Sequence, residues 1–214
     1  MYRLHGQVAT RALRTLWTLE EVGAPYAFVP ADPRSEAAFA LNPLGKIPVL
    51  ETPEGVILDS VAQMQHLADR HAAGMGDAAP TYPAGSHMRA RQDAFVLAVL
   101  ELMDAQLWTI ALHRFALPEA MRVPDVVPVA GQLVTRGSAQ LADLMDGDHA
   151  VGDRFTLADI LLAHCASWAR GRKLEVDGRV LAHMRRMRDR PAFARATARG
   201  TPAPEAGATG EDAR

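Results

Sequence analysis

The chain of 214 residues contains a single cysteine, Cys165. One thiol excludes an internal disulfide framework, a CxxC redox pair and a cysteine-built zinc site, and it makes the reducing cytoplasm the expected compartment. An excess of charge of one sign is also missing. Lysine and arginine number 23 against 25 aspartates and glutamates, a formal charge of −2, and the two signs are interspersed. Without a long-range field to gather phosphate backbones or anionic lipid, no nucleic acid and no membrane are expected as partners. No run approaches the roughly 18 apolar residues of a membrane span, and Met1-Tyr2-Arg3-Leu4-His5-Gly6 lacks the basic start and apolar core of a secretory signal. His5, His66, His71, His113 and His164 fall at no metal-ligand spacing, so no metal is expected. What is present is an ordinary globular mixture, 49% apolar and 22% charged. It is long enough to bury the core of one large domain or two small ones.

Periodicity organises the first third of the chain. Tyr2 to His5 reads as a short strand. Thr10 to Val22 carries Leu13, Leu16 and Trp17 on one helical stripe, with Arg11 and Arg14 on other faces, and stops at Gly23-Ala24-Pro25. Tyr26 to Pro30 reads as a second strand, which makes a β-α-β crossover with parallel strands. A short polar helix is expected over Glu36 to Leu41. After the turn-rich Asn42-Pro43-Leu44-Gly45-Lys46, the runs Ile47 to Glu51 and Val56 to Leu58 flank Pro53-Glu54-Gly55 and predict an antiparallel hairpin. Asp59-Ser60 then opens a helix with Val61, Met64, Leu67 and Ala68 in register, and Ser60 and Gln63 are spaced as a capping box.

Residues 73–87 concentrate glycine and proline without apolar period, and no strand pattern returns after Met88. The domain limits are therefore set at 1–75, a linker at 76–87, an all-helical domain at 88–199 and a disordered tail at 200–214. In the helical part, Thr156-Leu157-Ala158-Asp159 supplies an N-cap hydroxyl with an acid three residues on, ahead of Ile160, Leu161, His164 and Trp168 on one face. Loss of such a cap costs about 0.5–2 kcal/mol, which makes it an element of stability rather than of catalysis. Cys165, mid-helix among apolar residues, reads as a small buried hydrophobe rather than a nucleophile. A last helical patch carries Val180, Leu181, Met184 and Met187.

Several strings act together: Asn42-Pro43-Leu44-Gly45-Lys46-Ile47-Pro48-Val49-Leu50, Asp59-Ser60, Gly152-Asp153-Arg154-Phe155-Thr156-Leu157-Ala158-Asp159-Ile160 and the closing Met187-Arg188-Asp189-Arg190-Pro191-Ala192-Phe193. In order and spacing they resemble a bacterial cytosolic glutathione S-transferase, over residues 1 to 198. The resemblance implies an α/β thioredoxin-like N-terminal domain of order β-α-β-α-β-β-α that holds glutathione, followed by an all-α C-terminal domain that lines the pocket for an electrophile. It also implies a homodimer, glutathione as co-substrate and a role in detoxification. The electrophile pocket would lie near Trp108, Thr109, His113 and Arg114.

The same resemblance assigns ligand-binding residues. A cis bond between Ile47 and Pro48 would turn the Ile47 N–H and C=O outward to pair with the tripeptide backbone like an added strand. Ser60 and the N–H groups at the start of its helix would take the γ-glutamyl carboxylate, a task compatible with capping. Asp59 would face the ligand's amino group, and Lys46 its glycyl carboxylate.

The activating residue departs from the family. Where a serine is usual this chain has Ala9, near the usual tyrosine it has His5, and at one bacterial cysteine position it has Arg11. Thr10, as hydroxyl donor, and Arg11, as cation, are the remaining catalytic candidates, with backbone N–H groups alone as the third possibility. Lowering a thiol pKa of about 8.5 by two units requires about 2.7 kcal/mol. One hydrogen bond to a charged group supplies about 1.5–3 kcal/mol, so either residue suffices. The reading is transfer of the glutathione sulfur to a small apolar electrophile. Its rivals are a non-catalytic glutathione-binding or protein-interaction module, favoured by the missing Tyr, Ser or Cys, and a glutathione-dependent isomerase or thiol reductase.

Overall fold

A computed structural model describes residues 1–199. The expected tail at 200–214 lies outside the described residues. The N-terminal part runs β1 (Tyr2–Gly6), α1 (Ala12–Val22), β2 (Tyr26–Pro30), α2 (Glu36–Leu41), β3 (Val49–Thr52), β4 (Gly55–Leu58) and α3 (Ser60–His71). This is the predicted thioredoxin-like order. The sheet order is β2-β1-β3-β4. The α1 crossover makes β1 and β2 parallel, with Tyr2 opposite Tyr26, whereas Leu50 of β3 lies antiparallel between Leu4 of β1 and Ile57 of β4. Leu4 and Leu50 are fully buried, together with Leu16 and Leu19 of α1 and Met64 and Leu67 of α3.

Two helix starts differ from the sequence reading. Helix α1 begins at Ala12, because the Thr10 hydroxyl donates to the Gln7 carbonyl at 2.6 Å and holds residues 7–11 in a turn. Helix α3 is capped by Asp59 rather than by a Ser60–Gln63 box: the Asp59 carboxylate accepts from the N–H of Val61 at 2.8 Å and of Ala62 at 3.4 Å. An aspartate one position earlier competes for the same donors and carries a full charge toward the positive helix end.

The C-terminal part is helical. Helix α4 (His87–Val99) passes through a π turn at Leu100–Asp104 into α5 (Ala105–Ala111), and a second π turn, Leu112–Ala116, ends one continuous helix. By length and composition alone His87–Ala116 would be apolar enough to cross a membrane. Here Phe95, Val99, Met103, Leu107 and Ile110 are instead buried in the protein core. Then come α6 (Val126–Leu144), α7 (Leu157–Gly171), α8 (Gly178–Arg188) and α9 (Pro191–Ala198). Helix α6 starts ahead of Pro128, which is tolerated in a first turn whose N–H groups have no intrahelical partner.

The two parts share a core. Trp17 of α1 packs edge-on against Phe193 of α9 at 4.8 Å between ring centroids, and Arg190 covers Phe155 while forming a two-toothed ion pair with Glu21. Between α3 and α4 the chain is pinned: the Pro80 carbonyl accepts from Leu157 N–H at 2.8 Å, and the Tyr82 hydroxyl donates to the Val151 carbonyl. The predicted capping box is formed, and the buried Asp159 also accepts from Ala150 N–H and contacts His183 Nε2, both at 2.7 Å. One carboxylate thereby ties α7 to the preceding loop and to α8.

Candidate functional site

Three segments converge where β1 leaves the sheet: the turn 7–11, the loop before β3, and the start of α3. Gly6 permits the tight turn, since a Cβ there would lie 2.7 Å from that of Ala12. The Ile47–Pro48 peptide bond is cis. Neither backbone polar group of Ile47 bonds within the chain among the described residues. On either side of it the loop is held by two buried amides. Asn42 donates to the Lys46 carbonyl at 2.9 Å, and Gln63 donates to the carbonyls of Pro48 at 3.1 Å and Ile57 at 2.8 Å. Gln63 in turn accepts from the Thr15 hydroxyl at 2.7 Å, which fixes the loop to α1. Lys46 is exposed in the turn and Ile47 is half-buried.

Asp59 adopts a left-handed backbone at φ 68 and spends its Oδ1 on its own helix. Ser60 is buried, and its hydroxyl oxygen accepts from Arg14 Nη1 at 3.3 Å. Arg14 itself is almost completely buried. The same guanidinium bonds Asp104, donates to His164 Nδ1 at 3.1 Å and reaches Cys165 Sγ at 3.5 Å. The Nε2–H of His164 donates to the Thr10 carbonyl at 3.3 Å.

Arg11 approaches Asp104 from the solvent side. Its Nε lies 3.1 Å from both carboxylate oxygens and its Nη2 lies 2.7 Å from Oδ2. Its guanidinium carbon stands 5.2 Å from the ring centre of Trp108 and 4.9 Å from that of Trp168, within cation–π range of both. Nη1 makes no bond among the described residues. Two guanidiniums against one carboxylate leave the cluster a net positive charge.

These contacts set the protonation states. Burial by itself would raise the Asp104 carboxyl, but the charge of Arg14 and the bonds and charge of Arg11 outweigh it and bring it down to about 2. Burial, helped by the charge of Arg14, holds the His164 imidazole well below its ordinary value, so it is neutral, as its two hydrogen bonds require. Burial pushes the Cys165 thiol up to about 12, in keeping with an inert side chain. His183, His149 and Asp159 lie apart from this site, and no group of three or more metal-ligating side chains occurs among the described residues.

The sequence-predicted residues Thr10, Arg11, Lys46, Ile47, Pro48, Asp59 and Ser60 all belong to these three segments. Thr10 offers its hydroxyl proton inward to Gln7, so Arg11 is the one of the pair with unused donors. Reading the sequence missed Arg14, Asp104 and Trp168. The available signals were an arginine inside a helix whose neighbours are all apolar or small, and a lone aspartate in the apolar run from Phe95 to Ile110.

Comparison with known proteins points the same way. Residues 10–70 match the family model described as Glutathione S-transferase, N-terminal domain. Glutathione S-transferase GstA of Escherichia coli O157:H7 is 29% identical over 183 residues, 81% of this chain and 86% of that protein. Among solved structures, a glutathione S-transferase of Methylobacterium radiotolerans in complex with glutathione sulfonate superposes with a TM-score of 0.75 at 26% identity, over 92% of this chain and 94% of that one. A sphingomonad glutathione S-transferase complexed with glutathione gives 0.78 at 22% identity, over 94% and 100%. The fold and the N-terminal site thus define a glutathione S-transferase fold. Over most of its length the chain is similar to bacterial glutathione S-transferases, and residues 10–70 match the N-terminal domain of that family.

Proposed function

We propose that the protein is a cytoplasmic, homodimeric glutathione transferase that conjugates the thiolate of glutathione to a small apolar electrophile. Related structures solved with glutathione or its sulfonate support the co-substrate. In this reading Ile47 pairs with the tripeptide backbone, Ser60 and the N–H end of α3 receive the γ-glutamyl carboxylate, and Lys46 meets the glycyl carboxylate. Asp59 contributes its unused Oδ2 toward the ligand's amino group.

The observation that carries the proposal is the Arg11–Asp104 pair at the start of α1. A conjugation of this kind asks the protein for a stabilised sulfur anion and a dry wall beside it. Arg11, oriented by Asp104 and by the two indoles, takes the place of the missing Tyr, Ser or Cys. It presents a fixed cation whose unused Nη1 donates to the thiolate. Thr10 shapes the turn. Trp108 and Trp168 form the apolar wall against which the electrophile lies. A thiol reductase is disfavoured, since Cys165 is buried and held protonated.

The test is turnover of glutathione with 1-chloro-2,4-dinitrobenzene, together with calorimetry of glutathione alone. Binding with turnover that falls in Arg11→Leu supports the assignment. Binding with no turnover against a panel of aryl, epoxide and enone electrophiles would place the protein with the non-catalytic glutathione-binding modules.

A further inference from the structure

The loop between β2 and α2 bridges the walls of the cleft in which Arg11 stands. Ala31 N–H donates to the Gly6 carbonyl at 3.1 Å, and the Gln7 amide donates to the Asp32 carboxylate, which joins this loop to the turn 7–11. The backbone N–H of Arg34 donates to the Gly45 carbonyl at 2.7 Å, next to Lys46 and Ile47. The Arg34 side chain reaches the opposite way, and its Nη1 donates to the Ala116 carbonyl at 3.3 Å. Ala116 ends the continuous helix that carries Trp108 about two turns earlier. Carbonyls in a last helical turn lack an intrahelical partner and form the negative end of the helix dipole. Arg122 takes those of Phe115 at 3.2 Å and Leu117 at 2.9 Å. The carbonyl between them is met by a residue of the N-terminal half, 82 positions away.

The backbone at Arg34 is a second observation. Asp32-Pro33-Arg34-Ser35 form a turn closed by Ser35 N–H on the Asp32 carbonyl at 3.3 Å, and Arg34 stands in its third place at φ 64, where glycine is the favoured residue. An arginine is held there at a cost. Its guanidinium makes no other bond among the described residues than the one to Ala116.

We propose that Arg34 is a latch across the mouth of the cleft: its bond to Ala116 ties the loops beside the glutathione site to the helix that carries Trp108, and a glutathione conjugate enters or leaves only while that bond is broken. The latch rests on the reading of this cleft as the conjugation site. Because the guanidinium is spent on a main-chain carbonyl, it governs passage and adds nothing to affinity. Arg34 is thus a positioning residue.

The probe is S-(2,4-dinitrophenyl)glutathione, whose nitroaromatic ring quenches indole fluorescence, mixed with the full-length protein by stopped flow. Wild type binds it beside Trp108 and Trp168. Arg34→Leu and Arg34→Gly each raise the association and dissociation rates together by about two- to fivefold, the scale of one cation at a helix C-terminus, and leave the affinity unchanged. The thermal midpoint of Arg34→Gly is unchanged or higher, because glycine relaxes the turn. That sign separates an opened latch from a loosened fold. Rates equal to those of wild type overturn the latch, as does acceleration in only one of the two variants. A weakened affinity in either variant overturns it too, since Arg34 would then hold the ligand itself, and so does a lower midpoint for Arg34→Gly. Absence of quenching in wild type overturns the reading of the cleft and the latch with it, whereas binding at unchanged rates overturns the latch alone.

Discussion

Arg11 and Asp104, separated by 93 positions in sequence, form a two-toothed ion pair between the first helix and the helical half, and the same carboxylate also binds the buried Arg14. Through Arg14 the contact extends to Ser60 at 3.3 Å. Asp104 therefore orders both the Arg11 cation and, through Arg14, the Ser60 hydroxyl, the two groups proposed above to meet the sulfur and the far end of the tripeptide.

Removing that carboxylate leaves two guanidiniums facing one another, one of them buried. Breaking a buried pair from one side costs about 3–5 kcal/mol. Asp104→Asn is expected to lose an amount at the lower end of that range in urea denaturation, since Arg11 is partly exposed. A loss below about 1 kcal/mol would mean that the pair is screened like a surface one.

Binding and activation are expected to separate. Ser60→Ala weakens glutathione affinity about ten- to a hundredfold, the scale of one lost hydrogen bond to a charged group, with little effect on kcat. Arg11→Leu does the reverse, and Thr10→Ala lowers kcat with affinity nearly unchanged, because it loosens the turn that carries Arg11. Titration calorimetry and steady-state kinetics check the division. Equal affinity losses in all three variants would contradict it.

The pH dependence has a defined sign. The folded-state pKa of His164 lies well below the ordinary 6.5, so the stability it confers is complete above that value and is lost as pH falls below it and the unfolded chain takes up a proton. His149, raised mainly by the Asp159 carboxylate 3.8 Å from its Nδ1, acts oppositely: its contribution is present below pH 6.5 and is lost as pH rises through its folded pKa. His164→Gln keeps an acceptor for Arg14 and a donor for Thr10 but cannot titrate. Denaturation between pH 7 and about 5 should cost wild type more stability than it costs the variant. Asp104, held at about 2 against an ordinary 3.8, adds a further loss only below about pH 4.

Gln63 is buried and serves Pro48, Ile57 and Thr15 at once. Gln63→Leu leaves two carbonyls unpaired, and about 2–3 kcal/mol of stability should be lost. Glutathione affinity should fall with it, because the Pro48 carbonyl is one of the groups that position Ile47. Thermal denaturation with calorimetry on the surviving fold checks both.

Much of the N-terminal half was legible because its signals are local. Glu36–Leu41 and Tyr26–Pro30 are helix and strand at the predicted limits, set by an N-cap serine and by the Gly23-Ala24-Pro25 stop. The start of α3 was read one residue late, since Ser60 and Gln63 match a capping pattern that Asp59 pre-empts. Arg14 and Asp104 escaped because their roles arise only when α1 docks on the helix His87–Ala116. Periodicity placed Arg14 away from the apolar stripe of Leu13, Leu16 and Trp17, whereas α3, the sheet and the helical half together bury nearly every face of α1. The π turn that ends at Asp104 inserts a residue into the helical repeat, which no pattern of apolar spacing announces.

The most direct test is the ultraviolet thiolate absorbance of glutathione bound to the wild-type protein, followed against pH. The account predicts that the absorbance rises about two pH units below that of free glutathione, as one charged donor allows, and that Arg11→Leu returns it most of the way. A bound thiol that titrates together with free glutathione would contradict it.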